Sequence, residues 1–246
     1  MANNNESALN RLVDDLRAAH GDNLASIVLY GSVAAGDHLE SRANYNLLIA
    51  LHRIALNDLS ASQTALRVWH ASGQPMPVYF TVEELQRAAD VFPIEFLQME
   101  QARKILHGSD PFELVEISRA NLRHQTEYEL RTKLIQLRRL YIPASTSVEK
   151  LSALMSDSLA SFAALFRAVL ILHEQEPPVS KGDTVRATVR LLGLEGSPFE
   201  KIFELRAKTT TTLTETEANT VFAAYMAQIE RVIEAVDGME SQNRER

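Results

Sequence analysis

The pattern of apolar residues changes near residue 115, and this change constrains the fold more than any other feature of the sequence. Before it, short β-branched and apolar runs alternate with stretches at helical spacing. After it, every periodic segment has helical spacing. Alternating strands and helices followed by helices alone predict an α/β N-terminal domain, residues 1–114, and an all-α helical-bundle C-terminal domain, residues 115–246. The predicted fold class is therefore α+β.

The N-terminal region contains three compact apolar runs that predict strands. Helical spacing predicts four helices around them, the first ended by Gly21. Thr81 and Glu84 have the spacing of a capping box, which predicts a helix start directly after the third strand. The predicted strands are 27–30, 47–51 and 78–80, and the predicted helices are 7–19, 57–71, 82–89 and 94–106.

The C-terminal region predicts five helices, two of them long. Pro143 and Pro177 are expected to end the two long helices, because proline has no backbone N–H and cannot continue a helix. Asp183 and Thr214 are expected to cap later helices at their N-termini. The predicted helices are 119–141, 148–174, 183–192, 198–206 and 214–236.

The composition excludes several classes of protein. The 246 residues contain no cysteine, which excludes disulfide scaffolds, thiolate metal sites and cysteine nucleophiles. With 25 basic and 32 acidic side chains the net charge is −7, so we expect no general nucleic-acid binding, which needs a surplus of cations. The most apolar run, 163–172, contains Arg167 and is shorter than the ~20 residues of a membrane span. Without a secretory signal pattern at the N-terminus, we expect a cytoplasmic protein that does not bind a membrane.

The segment with the clearest chemistry runs from Leu29 to Ile49. A strand ends in Gly31 and Ser32, Gly36 follows after three residues, and a second strand begins after a loop. Glycine permits close backbone approach, and a serine hydroxyl and N–H at a helix start suit a phosphate oxygen. Gly-Ser is also a common turn after a strand, so the spacing alone leaves both interpretations open.

On these residues the sequence resembles the DNA polymerase beta-type nucleotidyltransferase superfamily, and more closely its small bacterial members with a helical C-terminal domain. The family pattern is an apolar strand, Gly-Ser, three residues and Gly, followed by Ser-Asp-x-Asp at the next strand. Gly31, Ser32 and Gly36 match it. The resemblance covers roughly residues 25–110, and 92–111 is also similar to that group. It implies a mixed-sheet, nucleotidyltransferase-like N-terminal domain.

The chain departs from the family at the metal-binding positions, where the two aspartates correspond to Asn44 and Asn46. The resemblance implies that active members hold two Mg²⁺ ions with those aspartates and a third carboxylate. The third position lies within 78–80, which contains no Asp or Glu. Mg²⁺ prefers charged oxygen ligands, and two-metal phosphoryl transfer needs both ions held together. At these degenerate positions we therefore expect no catalytic residue, no metal site and no cofactor.

A relocated carboxylate would change that conclusion. Asp37 follows Gly36 directly and is a candidate substitute ligand, but a solvated position in a surface loop is the favoured interpretation. The loss of two negative charges also favours an anion without a metal. A nucleoside triphosphate would then bind the residues of the Gly-Ser segment together with the nearest cation, namely Gly31, Ser32, Gly36 and Arg42.

Other candidate groups lie in the helical region. Arg131 and Arg138 are seven residues apart and share a helix face that could meet phosphate or RNA, but Glu127 forms an ordinary i,i+4 pair with Arg131. Two Arg-to-His spacings resemble the signature of HEPN ribonucleases, but a chain of this composition contains about as many by chance. These pairs are Arg119 with His124 and Arg167 with His173.

Three functions follow from these residues. The first is a catalytically degenerate nucleotidyltransferase-fold protein that binds a nucleotide or a protein partner in an inter-domain cleft, an interpretation that favours a non-enzyme. The second is an active Mg²⁺-dependent nucleotidyltransferase that modifies a small molecule, a protein or RNA, with Asp37 as a relocated ligand. The third is an antitoxin-like interaction module, which predicts a protein partner and no nucleotide binding.

Overall fold

A computed structural model describes residues 2–36, 44–178, 180–207 and 213–244. The chain divides into two compact units, Met1–Ser118 and Arg119–Arg246. The first contains a four-stranded mixed sheet with helices, and the second is helical in its described part, so the architecture is α+β.

The sheet of the first unit has the strand order β3-β2-β1-β4. β1 pairs antiparallel with both β2 and β4, whereas β2 pairs parallel with β3. The strands are β1 (Leu24–Tyr30), β2 (Asn46–Leu51), β3 (Val78–Thr81) and β4 (Arg103–Gly108), and the helices are α1 (Ala2–His20), α2 (Leu56–Ala61), α3 (Gln63–Ala71), α4 (Val82–Arg87) and α5 (Pro93–Gln101).

Both faces of this sheet are covered by apolar side chains, which explains why β1 and β2 are continuous apolar runs. Ile27, Leu29 and Leu47 pack on one face in a cluster that includes residues of α1 and α3. Val28 and Leu48 pack on the other face in a cluster that includes residues of α4 and α5. Successive residues of each strand therefore point to opposite layers, and this alternation also orients the polar residues at the strand ends.

The structure corrects two predictions in this unit. The predicted helix 94–106 ends at Gln101, and β4 follows it, hydrogen-bonded to β1. Because a strand is stabilised by its neighbour, local helical spacing did not reveal it. The predicted helix 57–71 is two helices separated at Ser62, whose N–H donates to the carbonyl of Leu59. The predicted capping box is confirmed, with Thr81 accepting from the Glu84 N–H and Glu84 accepting from the Thr81 N–H.

The second unit packs around its most apolar helix, whose residues Phe162 and Phe166 are buried with Phe199 and Tyr225 from later helices. Pro143 lies inside the first helix of this unit rather than after it, which corrects the predicted end. The helices are α6 (Arg119–Ala144), α7 (Val148–Leu172), α8 (Lys181–Leu192), α9 (Ser197–Ala207) and α10 (Glu215–Arg244).

By length and composition, α7 could cross a membrane, and among the described residues it is the one helix that meets this criterion. Eleven of its side chains are buried inside the unit. A buried core helix satisfies the same criterion, so α7 is weak evidence for membrane insertion.

Candidate functional site

Gly31 ends β1 and begins the candidate site. Its N–H donates to the carbonyl of Ala102, 3.0 Å away, and its φ of +84° lies in the left-handed region. A Cβ at this position would lie 3.1 Å from Nδ2 of Asn46, closer than ordinary van der Waals contact. Only glycine combines this φ with this space. The structure therefore brings Gly31 and Asn46 together.

Residues 32–36 form turns, and no described helix begins at Ser32, which corrects the expected helix start. Ala35 donates to the carbonyl of Gly31 and Gly36 donates to the carbonyl of Val33. The intervening N–H groups of Ser32, Val33 and Ala34 donate to no other residue that the structure describes. Successive free N–H groups in a turn can bind an anion even without a helix.

The side chains of Asn44 and Asn46 are placed by the residue between them. Tyr45 is buried in the core, where it makes an edge contact with Trp69, and its N–H donates to the buried Gln74 side chain at 3.0 Å. Because side chains alternate along an extended chain, Asn46 lies on the opposite face. Asn46 is half-buried and Asn44 is exposed.

The position expected for a third carboxylate contains no acidic side chain. On β3, Tyr79 points to the other side of the sheet, where its hydroxyl donates to Ser62 at 2.7 Å. The nearest carboxylates in sequence already have partners, since Glu84 caps α4 and Glu83 pairs with Arg87 at 2.7 Å. Among the residues that the structure describes, no three His, Asp or Glu side chains converge as a metal site would require.

Two predicted site residues, Asp37 and Arg42, lie outside the described residues. The described part of the site therefore consists of backbone N–H groups, a hydroxyl and two amides. Neutral amides lack the charge that Mg²⁺ prefers, so these residues do not fit the two-metal site of the resembled family.

β1, next to Asn46, and β4, on the far side of β1, contribute two further polar residues that sequence reasoning missed. Tyr30 pairs with Asn46 on one side and with Arg103 of β4 on the other. Burial raises the pKa of the Tyr30 phenol, which keeps it a neutral hydrogen-bond donor. Arg103 binds Asp110 through Nε at 2.9 Å and through an Nη at 2.7 Å. Had the sequence revealed β4 as a strand paired with β1, Tyr30 and Arg103 would have been placed in the same row of the sheet as Asn46.

The candidate cations of the helical unit have structural partners. Arg131 pairs with Asp237 at 3.1 Å and Arg138 pairs with Glu230 at 2.6 Å, so both join α6 to α10. A charged face of paired residues was one of the two expected interpretations, and this geometry favours it over phosphate binding.

The arginines of the two Arg-to-His spacings, Arg119 and Arg167, both bind groups at or just after the end of α7. Arg119 pairs with Glu174 at 2.6 Å and donates to the carbonyl of Leu172, while Arg167 donates to the carbonyl of Pro178. Burial lowers the pKa of His173, and the positive charge of Arg119 lowers it further. The cations therefore bind the C-terminal end of α7 and the segment after it.

Comparisons with known proteins give the fold. No family model and no curated protein matches the sequence. Among solved structures, the chain is similar to the spectinomycin adenyltransferase AAD(9) from Enterococcus faecialis, crystallised with ATP and spectinomycin. The TM-score is 0.57 at 13% sequence identity, over 92% of this chain and 98% of that chain. The chain therefore has a nucleotidyltransferase-like α+β fold with a helical C-terminal region.

Proposed function

We propose that this protein is a cytoplasmic, catalytically degenerate nucleotidyltransferase-fold protein that binds a nucleoside triphosphate without a metal ion. The observation that carries the proposal is the Asn46 amide beside Gly31, 3.1 Å from the position of a Gly31 Cβ. The resemblance places a metal-binding carboxylate there. The solved adenyltransferase with this fold was crystallised with ATP, which supports a nucleotide as the ligand.

The donors at this site suit phosphate oxygens. The N–H groups of Ser32, Val33 and Ala34, which have no acceptor among the described residues, lie next to the exposed Ser32 hydroxyl. Phosphate accepts hydrogen bonds from such turns, and an amide such as Asn46 can donate, whereas a carboxylate would repel the anion. Arg42 is proposed as the cation that supplements them.

The same residues argue against nucleotidyl transfer. Transfer through two metal ions depends on carboxylates that hold the ions about 4 Å apart. Amides at 44 and 46, with an apolar third position, provide no charge to offset that repulsion. A bound triphosphate would therefore remain intact.

The test restores the two carboxylates. In Asn44→Asp/Asn46→Asp, we expect Mn²⁺ binding, measured by electron paramagnetic resonance, and nucleotide binding that now depends on the metal. The control Asn10→Asp/Asn57→Asp adds the same charge at exposed helix positions elsewhere in the first unit. If the control gains as much metal affinity as the restored variant, the site geometry is wrong. Transfer of labelled nucleotide by the natural sequence, lost in Asp37→Ala, would instead establish the active transferase.

A further inference from the structure

A groove between α6 and α7 lies within the second unit and is independent of the site proposed above. It encloses about 210 Å³. Its wall residues recur at three- and four-residue intervals on each helix, which identifies one face of each. The lining residues are Lys133, Gln136, Leu137 and Leu140 of α6 and Leu154, Asp157, Ser158, Ser161 and Phe162 of α7.

The groove exists because short side chains face an otherwise apolar contact. Leu137 and Phe162 are buried at its floor. Ser158 and Ser161 stand on α7 where larger side chains would fill the space, and their hydroxyls donate to backbone carbonyls of their own helix. Packed helices normally interdigitate at the density of organic crystals, so the space that remains can accept a small molecule.

Two opposite charges line this groove without partners among the described residues. Neither Lys133 nor Asp157 forms a side-chain hydrogen bond or ion pair with any residue in the described part of the chain. Elsewhere on α6, Arg123, Arg131 and Arg138 are paired with carboxylates. Because Lys133 lies on one wall and Asp157 on the other, a ligand with both charges could satisfy them together.

We propose that this groove binds a small zwitterion with an aliphatic group, of which an aliphatic α-amino acid is the simplest form. The carboxylate of the ligand pairs with Lys133, its ammonium group pairs with Asp157, and its side chain packs on Leu137 and Phe162. A volume of 210 Å³ corresponds to roughly seven water molecules at about 30 Å³ each, which suits a molecule of this size.

The experiment uses the full chain and isothermal titration calorimetry with leucine. Three related probes each lack one feature: 4-methylpentanoate has no ammonium group, isoamylamine has no carboxylate, and glycine has no aliphatic side chain. We expect saturable one-to-one binding of leucine and a Kd weaker by roughly tenfold or more for each incomplete probe, since each loses one charged or apolar contact.

Variants test which side chain binds the carboxylate of leucine and which binds its ammonium group. We expect Lys133→Met to weaken leucine binding while leaving isoamylamine unaffected, and Asp157→Asn to weaken leucine while leaving 4-methylpentanoate unaffected. Lys150→Met removes an exposed lysine from α7 outside the groove and should change nothing. Ser161→Leu fills the groove, so it should abolish binding without lowering the thermal midpoint.

Two results would overturn the proposal. One is the absence of saturable leucine binding up to about 10 mM, in a protein whose circular dichroism shows it folded. The other is leucine binding that Lys133→Met, Asp157→Asn and Ser161→Leu all leave unchanged, which would place the ligand elsewhere.

Discussion

The two units differ in whether the polar groups considered above have hydrogen-bond or ion-pair partners. In the second unit, exposed arginines are bound to carboxylates across helices, as in Arg138 with Glu230 and Arg186 with Glu200. At the strand ends of the first unit, three successive N–H groups beginning at Ser32 have no described partner, and the amides of Asn44 and Asn46 are unpaired within the described residues. These arginines of the second unit thus have carboxylate partners, whereas the polar groups around Gly31 have none among the residues that the structure describes.

This difference distinguishes polar residues that stabilise the fold from polar groups that are available to bind a ligand. The charged residues of α6 that were candidates for phosphate binding have carboxylate partners. The neutral groups near Gly31 have no partner in the part of the chain that the structure describes. Unpaired donors beside a close backbone approach are typical of a binding site. Charge alone was therefore a poorer guide to a site than the absence of a partner.

The largest expected effect comes from removing a buried aromatic ring from the core of each unit. Comparing the two losses of unfolding free energy tests whether both cores are equally well packed. Phe166→Ala in α7 and Phe96→Ala in α5 each remove a fully buried ring, and each should lower the free energy of unfolding by about 3–5 kcal/mol. Urea unfolding followed by circular dichroism measures both. Leu114→Ala, at a side chain that is 72% exposed, should stay within about 0.5 kcal/mol. A cost for either phenylalanine as small as this control would contradict the assigned packing.

The second test compares an ion pair in each unit. Asp110→Asn leaves the half-buried guanidinium of Arg103 without its carboxylate and should cost about 1–3 kcal/mol. Glu200→Gln breaks the pair with Arg186, in which both side chains are nearly half exposed, and should cost less than about 1 kcal/mol. If chemical denaturation gives equal losses of unfolding free energy for the two variants, the half-buried pair is no stronger than the exposed pair, and this prediction is wrong.

The third test concerns the glycine at the candidate site. Gly31→Ala forces alanine into a φ of +84° and should cost about 1–2 kcal/mol, with an added cost from contact with Asn46. Gly73→Ala is the matched control, because its φ is +87° and no atom lies within 4 Å of the new Cβ. The chain has a single tryptophan, Trp69, in the first unit, so its fluorescence reports both variants. A smaller cost at Gly31 than at Gly73 would contradict the close approach.

The smallest expected effect is on how the free energy of unfolding depends on pH. Each unit has one histidine with a buried ring nitrogen that lacks a described partner. These atoms are Nδ1 of His20 and Nε2 of His173. Burial lowers the pKa of both below the ordinary 6.5. The unfolded chain then binds protons at a higher pH than the native chain. Their contribution to stability is therefore fully present above pH 6.5 and is lost as pH falls toward the folded pKa.

Urea unfolding at pH 8 and at pH 5.5 measures this dependence. His20→Gln and His173→Gln should each reduce the decrease in stability between the two pH values. His52→Gln, at an exposed histidine, is the control. A natural protein that is more stable at the lower pH would show that the sign is wrong.

The sequence predicted the architecture but not the contacts around the candidate site. Three strands were found because buried runs such as Leu47–Leu51 carry a strong local signal, and the Thr81 capping box was found because its spacing is short. β4 and the break at Ser62 depend on partners distant in sequence, so local patterns missed them. The pairing of Tyr30 with Arg103 and the close approach of Gly31 to Asn46 likewise required the register of the sheet.

Calorimetric titration of ATP into the full chain, once in EDTA and once with excess Mg²⁺, tests the central claim most directly. Metal-free binding through Gly31, Ser32 and Asn46 predicts saturable binding in EDTA that Mg²⁺ does not strengthen and that Gly31→Ala weakens more than Gly73→Ala. Binding that requires Mg²⁺, or no binding in either buffer, would contradict the account.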